Sequence, residues 1–478
     1  MRMTKRYTML GLVLGLSLCV GTWADSQNST WNVLDFGANG DSTTDNTAAF
    51  QAAMDAASEG RGGLVTIPTG RYRFDGVLTI PDNVTLQGIY SYSPASAGIR
   101  DNRPDQRPEY GTVLEPYAGA GEKDGTPFIT IMGNATLQGL TIHYPAQDPN
   151  ADAPTPYPFT VAMRGNNPAI LDVQLLNPFQ GIDASRNQRA LVRNIHGQPI
   201  AMGIFVDGIY DIGRIENVHW NPWWSIGTPV YEWQLKHGVG FHFKRTDWHY
   251  VVNTFCFGYN VGYQFSKSEA GSCNGNFLGI GADACNTAVL VEETAPFGVL
   301  ITNGEFVAFP GEDPTMIRIT DTHTGSFRVM NSAFWGPCNR NVVMDGPGTV
   351  GFSDCTFVQW GKSKEKNVTP PEGGFPSIDA YGGTLLVRGC EFLETRRQVH
   401  LHENVERAII SENMVNGKVD IVEDKGVGAT IIKDNLAPPR GKRWDEKRKT
   451  LGGMRADKMI RFSHSEDIRE ERANRKKE

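Results

Sequence analysis

At 478 residues, with 40% apolar and 21% charged side chains and a formal net charge of −7, the chain is too long for one ordinary compact domain and too apolar for a disordered one. A solenoid escapes the length limit, because each coil touches only its neighbours and the stack can lengthen. The 53 glycines point to many turns.

Residues 1–24 read as a secretory signal peptide. Arg2, Lys5 and Arg6 precede an apolar run from Met9 to Val20, and Thr22-Trp23-Ala24 ends on a small residue suited to cleavage. The run is short for a membrane span, which takes about 20 residues, and no later segment reads as a stable one. The expected location is therefore extracellular or periplasmic. Cys19 leaves with the leader. Cys256, Cys273, Cys285, Cys338, Cys355 and Cys390 remain, without a CxxC pair to suggest zinc. Cys273 and Cys285 are candidates for a disulfide, with buried free thiols as the alternative.

Next, Asn46 to Ser58 is predicted to be a helix. Asp45 or Asn46 can cap it, and Ala49, Phe50, Ala53, Met54 and Ala57 make one apolar stripe. It is expected to close the N-terminal end of a stack whose strand edges would otherwise aggregate.

Beyond it, a six-residue pattern recurs: apolar, any, Asn/Asp/Gly, any, any, apolar. Copies run from Leu137–Ile142 and Ile215–Trp220 through Val252–Phe257, Ile301–Phe306, Val329–Phe334, Phe352–Phe357 and Val387–Phe392 to Ile410–Val415. Leu171–Leu176 and Val192–Gly197 are weaker copies, and Gly275 marks a further weak turn. A second strand lies between copies: Gly181–Ser185, Gly203–Asp207, Gly240–Lys244, Gly262–Ser266, Ala288–Glu292, Asn341–Asp345, Gln398–His402 and Lys418–Val422. Two short strands per repeat, joined by Gly/Asn turns, describe a coil. The fold class is therefore all-β: a single-stranded right-handed parallel β-helix of about ten to twelve coils over residues 25–436, with an N-terminal capping α-helix. Repeated asparagine suits the turns, since it tolerates the left-handed backbone region.

The stretches Val33–Ala57 (VLDFGANGDSTTDNTAAFQAAMDAA), Gly62–Tyr72 (GGLVTIPTGRY) and Leu78–Gly88 (LTIPDNVTLQG) closely resemble the entry to pectate lyase-like β-helix enzymes, including rhamnogalacturonase- and polygalacturonase-related proteins. The resemblance covers about residues 31–90 specifically, and the coil pattern extends it loosely to about residue 435. It implies a β-helix acting on a glycan by hydrolysis, β-elimination or epimerisation, without choosing among them. The polygalacturonase motif is absent. Its nearest counterpart, Asn177 to Asp183, carries Phe179 where an acid is expected, and no Gly-His-Gly exists. No catalytic residue is carried over.

If the second strands stack in register, alternate residues form columns on one outer face. Third positions run Asp183, Phe205, His242, Gln264, Leu290, and fifth positions run Ser185, Asp207, Lys244, Ser266, Glu292. Polar members are expected to concentrate in the first three of these coils. Asp183 and Asp207, one coil and two residues apart, are placed about 8 Å from each other by strand geometry, the separation of an inverting glycosidase pair. The leading expectation is a glycoside hydrolase acting on an acidic or cell-wall-type polysaccharide. Asp183 and Asp207 are its acid and base, and His242 and Lys244 assist. The alternative is a polysaccharide lyase using Lys244 or His242 to remove the proton beside a uronate carboxylate. A non-catalytic glycan-binding surface β-helix is the second alternative.

Trp220, Trp223, Trp224 and Trp233, with Arg245, Asp247, Trp248, His249 and Gln264, are candidate substrate contacts, because aromatic faces stack on sugars. Tyr144, Tyr157 and the loop Pro145–Pro158 are a candidate opposite wall. No metal site and no cofactor is evident. Calcium is conceivable at Asp283, Glu292 and Glu293. No phosphate-binding loop exists, and no nucleic-acid partner is expected; the expected partner is a polysaccharide or oligosaccharide, and oligomeric state is left open. Residues 437–478 carry a net +6, which leaves −13 for the remainder. They read as a charged, partly helical or disordered tail.

Overall fold

The computed structural model describes residues 29–90, 110–363 and 368–438. The expected leader and nearly all of the charged tail lie outside them. No helix among the described residues is long and apolar enough to cross a membrane.

The described chain winds into a right-handed parallel β-helix in which 36 strands form one hydrogen-bonded network. Each central coil contributes to three ladders. Val239–Phe243 belongs to the first, and Asp247–Phe257 supplies the second and third in turn, bending at Asn253. The first ladder runs by parallel pairing from Leu78–Ile80 to Ile421–Glu423.

The bend between the second and third ladders explains the recurring Asn. Asp172, Asn194, Asn217, Asn253, Asn303, Asn331 and Asp354 all hold positive φ there. Asn tolerates this conformation better than most residues, because its short polar side chain bonds locally. The side chains also bond from coil to coil: Asn194 Nδ2 to Asp172 Oδ1 at 2.7 Å, Asn217 Nδ2 to Asn194 Oδ1 at 3.0 Å, and Asn253 Nδ2 to Asn217 Oδ1 at 3.1 Å.

Three strand frames need correction. Ile215 pairs with Val251, so the copy placed at Val252–Phe257 starts one residue late. Leu137 pairs with Ile170, which shifts the Leu171 copy in the same way. His400 pairs with Val422, so the strand placed at Lys418–Val422 starts two residues early. In each case a neighbouring apolar residue fits the local pattern equally well, and only pairing with the adjacent coil selects the frame. The weak turn near Gly275 falls at Gly279, which has φ +63°.

The interior is a continuous apolar column. Phe306, Phe334, Phe357 and Phe392 stack in succession, with ring centroids 5.4, 4.9 and 4.9 Å apart. All six cysteines among the described residues are buried and free, so Cys273 and Cys285 are not bridged. They stand in different ladders, and Cys273 Sγ instead accepts a bond from Thr246 Oγ1 at 3.2 Å.

The predicted helix spans Thr47–Glu59 and buries Phe50, Ala53, Met54 and Ala57. Phe50 meets Tyr72 and Phe74 edge-on at 5.3 and 4.9 Å, which closes this end of the core. Asn46 is the cap residue, but its side chain is buried in the preceding turn. Asp45 does the capping, accepting from Thr47 N at 3.1 Å.

Candidate active site on the face of the first ladder

Strand pairing in the first ladder brings the expected columns together. Asp183 pairs with Phe205, Phe205 with His242, His242 with Gln264, and Gln264 with Leu290. The neighbours Ile204, Val206, Phe241 and Phe243 are fully buried, so the intervening side chains turn outward.

The two carboxylates expected as acid and base, Asp183 and Asp207, hold neighbouring turns. Asp183 is ion-paired with Arg164 and accepts from Ser185 N at 3.0 Å. Arg164 also donates to the carbonyl of Ser185 at 3.1 Å. Asp207 Oδ1 accepts from Ser268 Oγ at 2.7 Å and from Arg245 N at 3.1 Å.

His242 and Lys244 are arranged differently. His242 Nε2 lies 2.8 Å from Ser266 Oγ, and its ring packs edge-on against Phe205 at 5.4 Å. Burial, then the charge of Lys244, pulls the His242 pKa down to about 4, against a smaller opposing effect of Asp207. The imidazole is therefore neutral at neutral pH, with a lone pair available. Lys244 Nζ stands 5.5 Å from the centre of the Phe205 ring and makes no ion pair among the described residues. Gln264 Nε2 donates to Glu292 Oε2 at 2.8 Å.

The aromatic candidates divide. Trp220 is wholly buried against Phe241 and belongs to the core. A Cβ on Gly203 would stand 2.1 Å from the carbonyl oxygen of Gly240 and 2.6 Å from the Trp220 Nε1, which accounts for glycine there. Trp224 is buried with Leu176, Ile200 and Val230. His249 is buried beneath Phe243, and burial pulls its pKa down to about 3. None of these three side chains is available to a ligand on the outer face, and the expectation for them is corrected: Trp220 closes the repeat copy Ile215–Trp220 in the inward column of Phe306, whereas the local sequence gave no sign that Trp224 and His249 face inward. Tyr144 and Tyr157 likewise pack on each other inside, 4.7 Å apart.

The remaining aromatics flank the face. Trp233, on the helix Pro229–His237, packs on Phe179 at the edge where strands enter. Trp248 is 60% exposed just past the edge where they leave, its Nε1 donating to Tyr250 Oη at 3.1 Å. Asp247 is exposed beside it. Arg245 lies over the Tyr210 ring at 5.4 Å. Trp223 leans the other way, 5.4 Å from His219 on the third ladder.

The acids considered for calcium are not gathered. Glu293 bonds Thr294 N at 2.9 Å and Thr324 N at 3.0 Å, whereas Asp283 lies in the middle of the strand Gly281–Cys285 of the third ladder. Burial, followed by the nearby Glu305, pushes the Asp283 carboxyl up to about 6.

Residue-by-residue reading missed Arg164, although it is the fifth-position residue of the coil before Ser185 and extending the column by one coil locates it. Polar residues also do not stop after three coils: the outward column continues through Arg318, Val343, Asp379 and His400.

Residues 30–145 match the family described as rhamnogalacturonase A/epimerase, pectate lyase-like. Over 65 residues the chain is 51% identical to mannuronan C5-epimerase AlgE1 of Azotobacter vinelandii, a match covering 12% of this chain and 5% of that protein. It is 49% identical over 65 residues to alginate lyase 7 of the same organism, covering 12% and 8%. The matched stretch is thus a small part of either relative's length. The N-terminal fragment of bacteriophage phi29 gene product 12 superposes with a TM-score of 0.55 at 13% identity, covering 87% of this chain and 73% of that one, a likeness of fold alone. The described residues thus form a right-handed parallel β-helix whose first coils, within residues 30–145, are similar to the rhamnogalacturonase A/epimerase, pectate lyase-like family.

Proposed function

We propose that this protein is an exported enzyme that acts on an acidic polysaccharide by removing the proton beside a uronate carboxylate. His242 is the base, and Lys244 neutralises the carboxylate. The observation that carries this reading is a neutral imidazole with an ammonium two residues along on the same outward face that makes no ion pair among the described residues. A base needs its lone pair free at the working pH. A carboxylate must lose its charge before the adjacent carbon becomes acidic, and a fixed cation does this.

In β-elimination, His242 takes the C5 proton, the electron pair of the broken C5–H bond forms the C4–C5 double bond, and O4 departs with a proton taken from water. In epimerisation, C5 is reprotonated from the opposite face. The activities for which the matched relatives are named, C5 epimerisation of mannuronan and alginate lysis, favour this chemistry. The exported location rests on the leader pattern in residues 1–24.

The hydrolase reading keeps one observation in its favour: Asp183 and the strand carrying Asp207 lie one coil apart on this face. Against it, both carboxylates are engaged in bonds that hold turns.

A panel of polymannuronate, polyguluronate and polygalacturonate, incubated with the purified protein in D2O, separates the readings. Unsaturated ends in the ultraviolet, or deuterium entering at C5, support proton abstraction. New reducing ends without either establish hydrolysis and overturn the proposal. Binding without any product establishes a glycan-binding protein and overturns it as well.

A further inference from the structure

The outward columns reach a second cluster near the C-terminal end of the stack. Asp379 pairs with His400 in the next coil. His400 and His402 are two residues apart on one strand and share its outer side. Asp424 follows one coil further on.

His402 Nε2 lies 2.9 Å from Asp379 Oδ1, and its Nδ1 lies 3.0 Å from Asp424 Oδ2. His400 Nε2 lies 2.9 Å from Asp424 Oδ1. Potential ligand atoms of Asp379, His400 and His402 fall within 4.8 Å of one another. With an ion on the Nε2 side of His402, its Nδ1–H would donate to Asp424, the carboxylate–histidine arrangement that orients a metal-bound ring.

The surroundings are built for such an ion. Asp379 is 1% exposed. Its Oδ2 accepts from Tyr381 Oη at 3.1 Å and Arg340 at 3.2 Å, leaving Oδ1 directed at His402. Arg340 also pairs with Asp313 at 3.0 Å, so its charge is shared. The Tyr381 ring stacks on His402 at 4.0 Å and 3°, which fixes the imidazole plane. Tyr381 also borders a cavity of about 710 Å³ lined by Asp345, Gly382, Asn404 and Glu406.

We propose that Asp379, His400 and His402 bind a divalent transition-metal ion of the Zn2+ class, with Asp424 as the supporting carboxylate. Two imidazoles and one carboxylate suit such an ion, whereas Ca2+ and Mg2+ prefer all-oxygen sets. Three protein ligands leave a coordination position for water or a ligand oxygen.

The test is titration of the EDTA-stripped, dialysed full-length protein with ZnCl2 alone, read by calorimetry and by melting temperature. The expected result is one ion per chain and a rise in melting temperature. His402→Ala and His400→Gln should each weaken binding at least tenfold, while His242→Ala retains it. The His400→Gln variant keeps the question open to an answer if His402→Ala does not fold. Absence of binding to the wild-type protein, or affinity unchanged in the variants that fold, overturns the proposal. Because the readout is metal binding, either result leaves the His242 chemistry to be judged separately.

Discussion

His242 Nε2 stands 2.8 Å from the hydroxyl of Ser266, a residue of the next coil that also borders Lys244 along the fifth-position column. Ser266 thus positions the ring that the proposed chemistry uses. His242→Gln should lower turnover by about 100- to 10,000-fold, the range for loss of a general base. Ser266→Ala should cost roughly fivefold, the equivalent of one hydrogen bond of about 1 kcal/mol. Steady-state kinetics on the substrate found in the panel, with a pH profile for each variant, measures both. Wild-type rates in His242→Gln would remove His242 from the mechanism.

Stability should fall on mild acidification. Burial pulls His196 down to about 3, His242 to about 4 and His249 to about 3. In the unfolded chain these imidazoles take a proton near 6.5. Between that pH and about 4 the unfolded state therefore binds more protons, and folding weakens as pH drops. Asp283, pushed up to about 6, acts in the opposite sense with a single proton. The expected net loss is about 1–3 kcal/mol per pH unit from pH 6.5 to 4.5. Thermal melts across that range check it; a flat melting temperature would contradict the buried neutral histidines.

Trp220 and Trp248 should separate stability from surface. Trp220→Ala opens the core beside Phe241 and should cost about 3–5 kcal/mol. Trp248→Ala, at an exposed position, should stay within about 0.5 kcal/mol of wild type. Denaturant unfolding compares them directly.

Asn217 combines a φ of +52° with ladder bonds to Asn194 and Asn253. Asn217→Ala should lose about 2–3 kcal/mol, from the left-handed backbone penalty plus the lost bonds. Asn217→Gly should lose less, because glycine tolerates the conformation. Equal losses would show that the backbone conformation contributes little.

The coil, its turn asparagines, the capping stripe on Phe50 and Met54, and the column from Asp183 through His242 were all legible in the sequence. Each is a local pattern repeated at a regular interval, and strand alternation converts that interval into a shared face. Three features were decided only by the tertiary structure. The inward turn of Trp224 and His249 depends on what the adjacent coils place beside them. The capture of Asp183 by Arg164 and of Asp207 by Ser268 depends on contacts between coils. The meeting of Asp379, His400, His402 and Asp424 depends on register: the frame expected at Lys418–Val422 starts two residues early, and only hydrogen-bonded pairing sets Asp424 beside His402.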